Sequence, residues 1–224
     1  MGLHLGNSGI KKVYLGNNEV PKIYLGPDLV YKSELSNGIS IDVASNGVYV
    51  LGTDNLLYTS EFWDSYWNEE AVGIALITDN TRFVIDPEQN ENYLPWSKGD
   101  AEDLVSGVTT TTNFSVARAD YKGLENTLAI VTKYGNTLDY AAGWCNNRLL
   151  KNNKKGYLGS YGEWDEVAKN KIEIDEYMEM IGGIPVATAN IYWTSTQYNK
   201  YSAFTNDGST NKGNDYLIRA FAKL

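Results

Sequence analysis

The first 32 residues contain a ten-residue repeat, each unit of which alternates apolar side chains at period two before a Gly-Asn or Gly-Pro pair. Leu3-His4-Leu5-Gly6-Asn7, Val13-Tyr14-Leu15-Gly16-Asn17 and Ile23-Tyr24-Leu25-Gly26-Pro27 align, as do Ile10, Val20 and Val30, and Lys12, Lys22 and Lys32. Alternation of period two that meets Gly-Asn or Gly-Pro predicts one short strand and a turn per unit. Strands of about six residues, only three in number, bury too little area to stand alone. Residues 1–32 are therefore read as an attachment or oligomerisation element, with a β-meander packed on the same domain as the alternative. His4 fills the slot of Tyr14 and Tyr24 and is read as structural.

A linker follows, and the alternation then resumes over 38–43 and 47–52, which predicts strands where a globular domain begins. Two apolar runs, 71–77 and 81–85, are joined by Thr78-Asp79-Asn80, a hairpin signal. The aromatic residues of 61–68 are read as core in preference to sugar-stacking faces. Residues 97–120 are polar, Thr-rich and without period, which predicts a long surface loop. Helical spacing returns with Leu124, Leu128 and Val131, then with Leu138, Ala141, Ala142, Cys145 and Leu149. Trp164, Val167, Ile172, Ile174, Tyr177, Met178 and Ile181 continue the core, and Gly182-Gly183 is read as a helix C-cap. Trp164, Trp193 and Phe221 are the expected core anchors, with Arg219 holding the C-terminal segment through a buried carboxylate or carbonyl.

Composition narrows the function. The 224 residues are 42% hydrophobic and 12% aromatic, enough for one sizeable core plus a small appendage. A net charge of -9 without any Lys/Arg-rich run argues against nucleic acid as a partner, because no cationic stretch exists to displace phosphate counterions. No run of about 18 apolar residues occurs and the N-terminus has no basic-then-apolar pattern, so neither membrane insertion nor a Sec signal is expected. Cys145 is the only cysteine, which forbids an intrachain disulfide and fits assembly in a reducing cytoplasm; on the apolar face of its helix it reads as an inert thiol. With His4 the only histidine, no Ser-His or Cys-His pair and no H-E-x-x-H zinc motif can form. The expectation is no enzyme, no cofactor and no metal. The acidic stretch 86–92 supplies carboxylate and amide oxygens as a calcium loop does, but it carries Pro87, lacks the sixth-place Gly, and has Ser97 where a bidentate Glu belongs. It reads as a solvated acidic loop.

Residues 197–216 are built almost wholly from Tyr, Asn, Ser, Thr, Asp, Gly and Lys, residues that cannot fill a core but suit a contact surface. The frame around them, Gly156-Tyr157-Leu158-Gly159-Ser160-Tyr161-Gly162-Glu163-Trp164, Ile181-Gly182-Gly183, Tyr192-Trp193-Thr194-Ser195-Thr196-Gln197-Tyr198 and the terminal Ile218-Arg219-Ala220-Phe221-Ala222-Lys223-Leu224, resembles the C-type-lectin-fold proteins of phages and gut bacteria. The likeness extends upstream through Ala71-Val72-Gly73-Ile74-Ala75 and Trp96-Ser97. That family includes the variable proteins of diversity-generating retroelements, whose C-terminal segment is rewritten to change the ligand bound.

The resemblance implies an α+β domain of C-type-lectin type over 33–224, a small twisted antiparallel sheet with two or more helices. It implies a non-enzymatic virion protein, of a fibre, tail or head fibre, assembled in the host cytoplasm and acting outside the cell. Its receptor would be a host-surface protein or glycan, and its ligand-binding positions Tyr198, Asn199, Tyr201, Phe204, Thr205, Asn206, Ser209, Thr210, Asn211, Asn214 and Tyr216. Those positions are reachable from adenine-rich Asn codons, whereas Lys200 and Lys212 are not if the codon ends in a pyrimidine. Tyr198, Tyr201, Phe204 and Tyr216 are expected to be largely exposed. The Y-L-G repeat of 1–32 is similar to modules at the start of phage virion proteins, which implies contact with other virion proteins and a homo-oligomer, with a trimer favoured. The alternatives are a structural decoration protein without a specific ligand and an enzyme of the formylglycine-generating type. The latter shares the fold but needs paired active-site cysteines, and Cys145 has no partner.

Overall fold

The computed structural model describes residues 14, 15, 18, 19, 22–25, 28–32, 37–99, 102–186 and 190–224. They fall into two compact units, Met1–Gly38 and Ile39–Leu224. In the first, β1 (Tyr14–Leu15) pairs antiparallel with β2 (Asn18–Glu19), and β3 (Lys22–Leu25) with β4 (Asp28–Lys32). Leu15 faces Asn18 and Leu25 faces Asp28, so the second and third repeats each give a local strand pair where one strand was expected. The residues after each Gly-Asn or Gly-Pro pair back on the residues before it. The first repeat, His4 included, lies outside the described residues.

The second unit is mixed α+β. It begins with β5 (Ile39–Ser40), and the expected alternation through Val43 gives way to a 3-10 turn at Ile41–Val43. Next come β6 (Gly47–Gly52), β7 (Leu56–Tyr58), 3-10 turns at Ser60–Phe62 and Ser65–Glu70, β8 (Ala71–Ile77), β9 (Arg82–Ile85) and β10 (Asn90–Leu94). Helices α1 (Phe114–Arg118), α2 (Gly123–Tyr134) and α3 (Ala141–Asn147) precede β11 (Gly156–Leu158), and α4 (Tyr161–Lys169) and α5 (Lys171–Met180) follow it. The chain closes with β12 (Trp193–Gln197), β13 (Ser202–Thr205), β14 (Ser209–Asn211), β15 (Tyr216–Ile218) and β16 (Ala220–Lys223).

The main sheet is antiparallel, in the order β11-β16-β9-β8-β6-β7-β5. Every residue of β8 is buried, as a strand covered on both faces requires, and its near-continuous apolar run records this. The last strand, β16, lies between β11 and β9, so the C-terminal segment is anchored inside the sheet. Phe221 stacks on Phe83 with ring centres 4.6 Å apart and meets Trp164 at 5.1 Å. Trp164, Trp193 and Phe221 are buried as expected.

Local chemistry sets the helix ends. Ser160 and Glu163 form a reciprocal capping box that starts α4. Gly182, at φ 73°, ends the turn after α5, where Gly183 N donates to Met178 O at 2.8 Å, a left-handed position that glycine takes without steric cost. Ile172, placed in the core by spacing, is 80% exposed, and Leu138 and Leu149 are also exposed. The buried face of α2 is Gly123, Asn126, Thr127 and Ile130, not the Leu124–Leu128–Val131 stripe. A Cβ on Gly123 would sit 2.2 Å from Glu163 Oε2, so the helix approaches α4 too closely for a larger residue there. Asn126 and Thr127 are inside because each has buried hydrogen-bond partners.

Candidate functional site

Strand β12 is the floor of the C-terminal face. Its sequence, Trp-Thr-Ser-Thr-Gln, is polar, yet all five residues are buried. Burial of such groups is tolerable because nearly every one is bonded. Trp193 Nε1 donates to Leu94 O (2.9 Å), Thr194 Oγ1 to Phe204 O (3.0 Å) and Thr196 Oγ1 to Asp120 Oδ2 (2.6 Å). Ser195 Oγ accepts from Asn126 Nδ2 at 3.4 Å, and Gln197 Oε1 accepts from Val105 N at 3.1 Å. Asp120, itself buried, also accepts from Thr109 Oγ1, Lys122 N and Asn126 Nδ2.

These bonds correct part of the reading of 97–120 as a surface loop: most of its described residues are exposed and none before Phe114 lies in a helix or strand, but Val105, Val108, Ala117 and Asp120 are buried. Gln197 N donates to Thr109 O (2.9 Å) and Thr111 N to Gln197 O (3.0 Å), so this segment meets the end of β12 in an isolated parallel bridge. It then enters α1, whose cap is Asn113, with Oδ1 accepting from Ser115 N and Val116 N. An Asn before Phe-Ser-Val-Ala was the readable signal for that helix.

Above the floor, β13 and β14 form a hairpin with Ser202, Ala203 and Phe204 opposite Asn211, Thr210 and Ser209. Of the eleven positions singled out, Tyr201, Ser209, Asn211 and Asn214 are exposed, while Tyr198, Asn199, Asn206, Thr210 and Tyr216 are half-buried. Phe204 and Thr205 are buried, which corrects the expectation of an exposed Phe204. Phe204, at 0% exposure, packs with Ala117 and Tyr161 and meets Phe114 and Tyr198 edge-on, each at 5.3 Å. Helix α1 covers it, and that helix was hidden within the supposed loop. Tyr198 and Tyr216 also lean on the frame, Tyr216 edge-on to Trp193 at 5.1 Å.

Most of the asparagines serve the backbone. Asn199 Oδ1 accepts from Tyr201 N (2.8 Å) and Ser202 N (2.9 Å), and Asn211 Oδ1 from Gly213 N (2.8 Å). Asn206 Oδ1 accepts from Tyr192 N while its own N–H donates to Tyr192 O, both at 2.9 Å. Such turns compete well with other structures because the side chain imitates a backbone carbonyl. Residues that sequence reasoning left out adjoin the face: Leu104, Phe114 and Val116 are exposed on the bridged segment and α1, and Lys200 Nζ stands 4.3 Å over the Tyr201 ring.

Lys212 lies under the face, 1% exposed. Its ammonium donates to Asp103 O at 2.5 Å and Lys200 O at 3.1 Å and stands 4.7 Å from the Trp96 ring centre. Burial pulls its pKa down to about 8, against a weaker upward pull from Asp103.

Elsewhere, the stretch 86–92 is not the solvated loop expected. Asp86 is buried and paired with Arg148, which also contacts Glu88. Gln89 Oε1 accepts from Tyr192 Oη (2.6 Å) and from Arg219 Nη2 (3.0 Å). Arg219 also donates to the carbonyls of Asp86, Ile184 and Pro185, so it is held by carbonyls, one of the two expected modes. Burial pushes the Cys145 thiol well above its ordinary pKa, and its sulfur lies 3.8 Å from Arg219 O. A thiol held protonated in this way is a poor nucleophile. Among the described residues no group of three His, Cys, Asp or Glu side chains is placed to hold a metal ion, and no helix is long and apolar enough to cross a membrane. What the C-terminal face offers is contact: short turns with exposed Tyr, Ser, Asn and Lys side chains on a bonded floor. Compared with known protein families, curated proteins and solved structures, the chain matches none.

Proposed function

We propose that this chain is a non-enzymatic phage virion protein of C-type-lectin type that binds a host-surface receptor, protein or glycan, through its C-terminal face. In this reading Tyr198, Tyr201, Ser209, Thr210, Asn211, Asn214 and Tyr216 supply contacts. Asn199 and Asn206 shape the turns, and Phe204 and Thr205 support the face from beneath. Residues 1–32 attach the protein to other virion components or to further copies of itself.

The observation that carries the reading is the separation of roles within 193–216. The floor strand is wholly buried and, apart from Gln197 Nε2, its side-chain polar groups are bonded, whereas Tyr201, Ser209, Asn211 and Asn214 are exposed. A surface of that kind can change its exposed side chains without losing its floor, and Tyr is well suited to it because a large rigid ring is ordered at low entropy cost. Adsorption of the labelled chain to cells of the bacterium that hosts the encoding virus or element tests it. Tyr201→Ala combined with Ser209→Ala should melt like the parent and adsorb at least about tenfold more weakly, as loss of aromatic interface anchors does. Unchanged adsorption by that variant would transfer the protein to the decoration class. A reverse-transcriptase gene beside a near-copy of the 197–216 coding stretch would establish diversification.

A further inference from the structure

Lys212 is the one feature of the face that neither contact nor turn chemistry explains. A buried lysine normally has a carboxylate partner, since an ammonium removed from water is otherwise costly. Among the described residues Lys212 has none. The Asp103 carboxylate, whose charge acts on Lys212, pairs with Lys133 Nζ at 3.2 Å, and among the described residues the Lys212 ammonium uses the backbone carbonyls of Asp103 and Lys200 and the Trp96 ring. The contacts to Asp103 and Trp96 reach more than a hundred residues back, 109 positions in the case of Asp103, and the third reaches Lys200, 12 positions away. The backbone reinforces the same junction: Trp96 N donates to Lys212 O (2.9 Å) and Lys212 N to Tyr201 O (3.0 Å).

We propose that Lys212 is a protonation-controlled latch that holds the Asp103–Leu104 segment against the Lys200–Tyr201 turn and thereby fixes the shape of the C-terminal face. The latch does not depend on what the face binds. Leu104 and Tyr201, both exposed, flank it, so its opening changes the spacing of two contact residues at once. The charged or titratable groups facing it are Asp103, already paired with Lys133; Lys200, stacked on Tyr201; and Tyr201 itself, with Glu102 near Lys200.

The direction of control follows from linkage. Closed, the amine has its pKa lowered to about 8; open and solvated, it returns to the ordinary value of 10.5. Below pH 8 both forms are charged and the closed form bears the full cost of a buried cation. Between 8 and 10.5 the closed form sheds its proton first, so closing becomes progressively more favourable as pH rises. The latch is tight in alkali and eased at neutral pH.

The test is nuclear magnetic resonance on the full chain, following the Lys212 ε-methylene titration together with millisecond hydrogen exchange. Exchange is read at the amides of Trp96 and Lys212, whose hydrogen bonds form the junction, with Ile74 and Leu76 in the main sheet reporting global opening. We expect a Lys212 midpoint near 8. Protection at the two latch amides, corrected for intrinsic exchange, should lie below that of Ile74 and Leu76 and should rise on the order of tenfold from about pH 7.5 to 9.5. In Lys212→Met that rise should vanish. A midpoint above about 10, the value of a free lysine, or an equal rise in the Met variant, overturns the proposal. If Lys212→Met does not fold, the wild-type midpoint and the lower protection of the latch amides relative to the main sheet decide the matter alone.

Discussion

Arg148 Nε lies 2.5 Å from the Asp86 carboxylate although 62 residues separate them, and the pair fastens the end of α3 to the strand exit after β9. Asp86 is almost fully buried, and its hydrogen bond is the chief reason the guanidinium pKa is raised. Truncating one partner strands the other's charge. Arg148→Ala should lower stability by about 3 kcal/mol, and the double variant with Asp86→Ala should lose less than the sum of the singles. Chemical denaturation of the four chains measures the coupling, and strict additivity would mean that the pair contributes nothing.

Phe204 and Tyr201, three positions apart in the Tyr/Asn/Ser-rich segment, should behave oppositely. Phe204 is enclosed by α1 and Tyr161, so Phe204→Ala should cost about 3–5 kcal/mol through lost contact and a residual cavity. Tyr201 is 42% exposed, and Tyr201→Ala should stay within about 0.5–1 kcal/mol. Thermal melts read both, and similar losses would show that the division between support and contact has been misdrawn.

Asn206 is expected to cost more than its half-exposed position suggests. Removing its amide leaves Tyr192 N without its acceptor beside the buried Tyr192–Trp164 stack, whose ring centres are 4.8 Å apart. Asn206→Ala should destabilise by about 1–3 kcal/mol, the range for an unsatisfied buried donor. Asn206→Asp, which keeps the accepting oxygen, should recover most of that in the same melt.

Glu163 gives a pH signature. Burial raises its carboxyl pKa, only partly offset by hydrogen bonds from Ser160 N–H, the Tyr157 hydroxyl and Ser160 Oγ. A carboxyl whose pKa is higher folded than unfolded takes up its proton on the folded side first, so it favours the fold as pH drops toward the ordinary carboxyl range. The melting difference between the parent and Glu163→Gln, which cannot titrate, should therefore shift in the parent's favour from pH 7 to pH 5. A shift the other way would place the pKa below its ordinary value.

For the N-terminal unit the expectation is a homo-oligomer, with a trimer favoured. Leu15 is 79% exposed in the single chain, and symmetric association is the usual way to cover such apolar strands. Light scattering on the full chain should give about three times its 24.9 kDa, and a chain beginning at Ser33 should run as a monomer. Monomeric behaviour of both would leave docking to a different protein as the role of the repeat.

The sequence was legible where one periodicity governed one face. The hairpin of β8 and β9, the core anchors and the turn after α5 all followed from local signals. It was opaque where polar residues are buried in mutual contact. Asn126, Asp120 and Thr196 form an interior network, and Thr127 is bonded to the Gly123 and Leu158 backbone; such residues read as surface to any count of apolar positions, so the apolar stripe of α2 points to the wrong face and α1 is lost within 97–120. Phe204 was misplaced for a related reason. Its polar neighbours suggested exposure, while the helix that encloses it begins 90 residues earlier at Phe114. The ligand-contact assignment drew on composition and resemblance, which cannot separate an Asn that meets a partner from an Asn that closes a turn.

That distinction matters to anyone who would use the face as a scaffold. Randomising Asn199, Asn206 and Asn211 along with their neighbours would vary the backbone itself, and most members of such a library would differ in loop shape before they differed in chemistry. A collection that keeps those three, Phe204 and Lys212 constant, and varies Tyr198, Lys200, Tyr201, Ser209, Thr210 and Asn214, would sample side chains on one conserved outline.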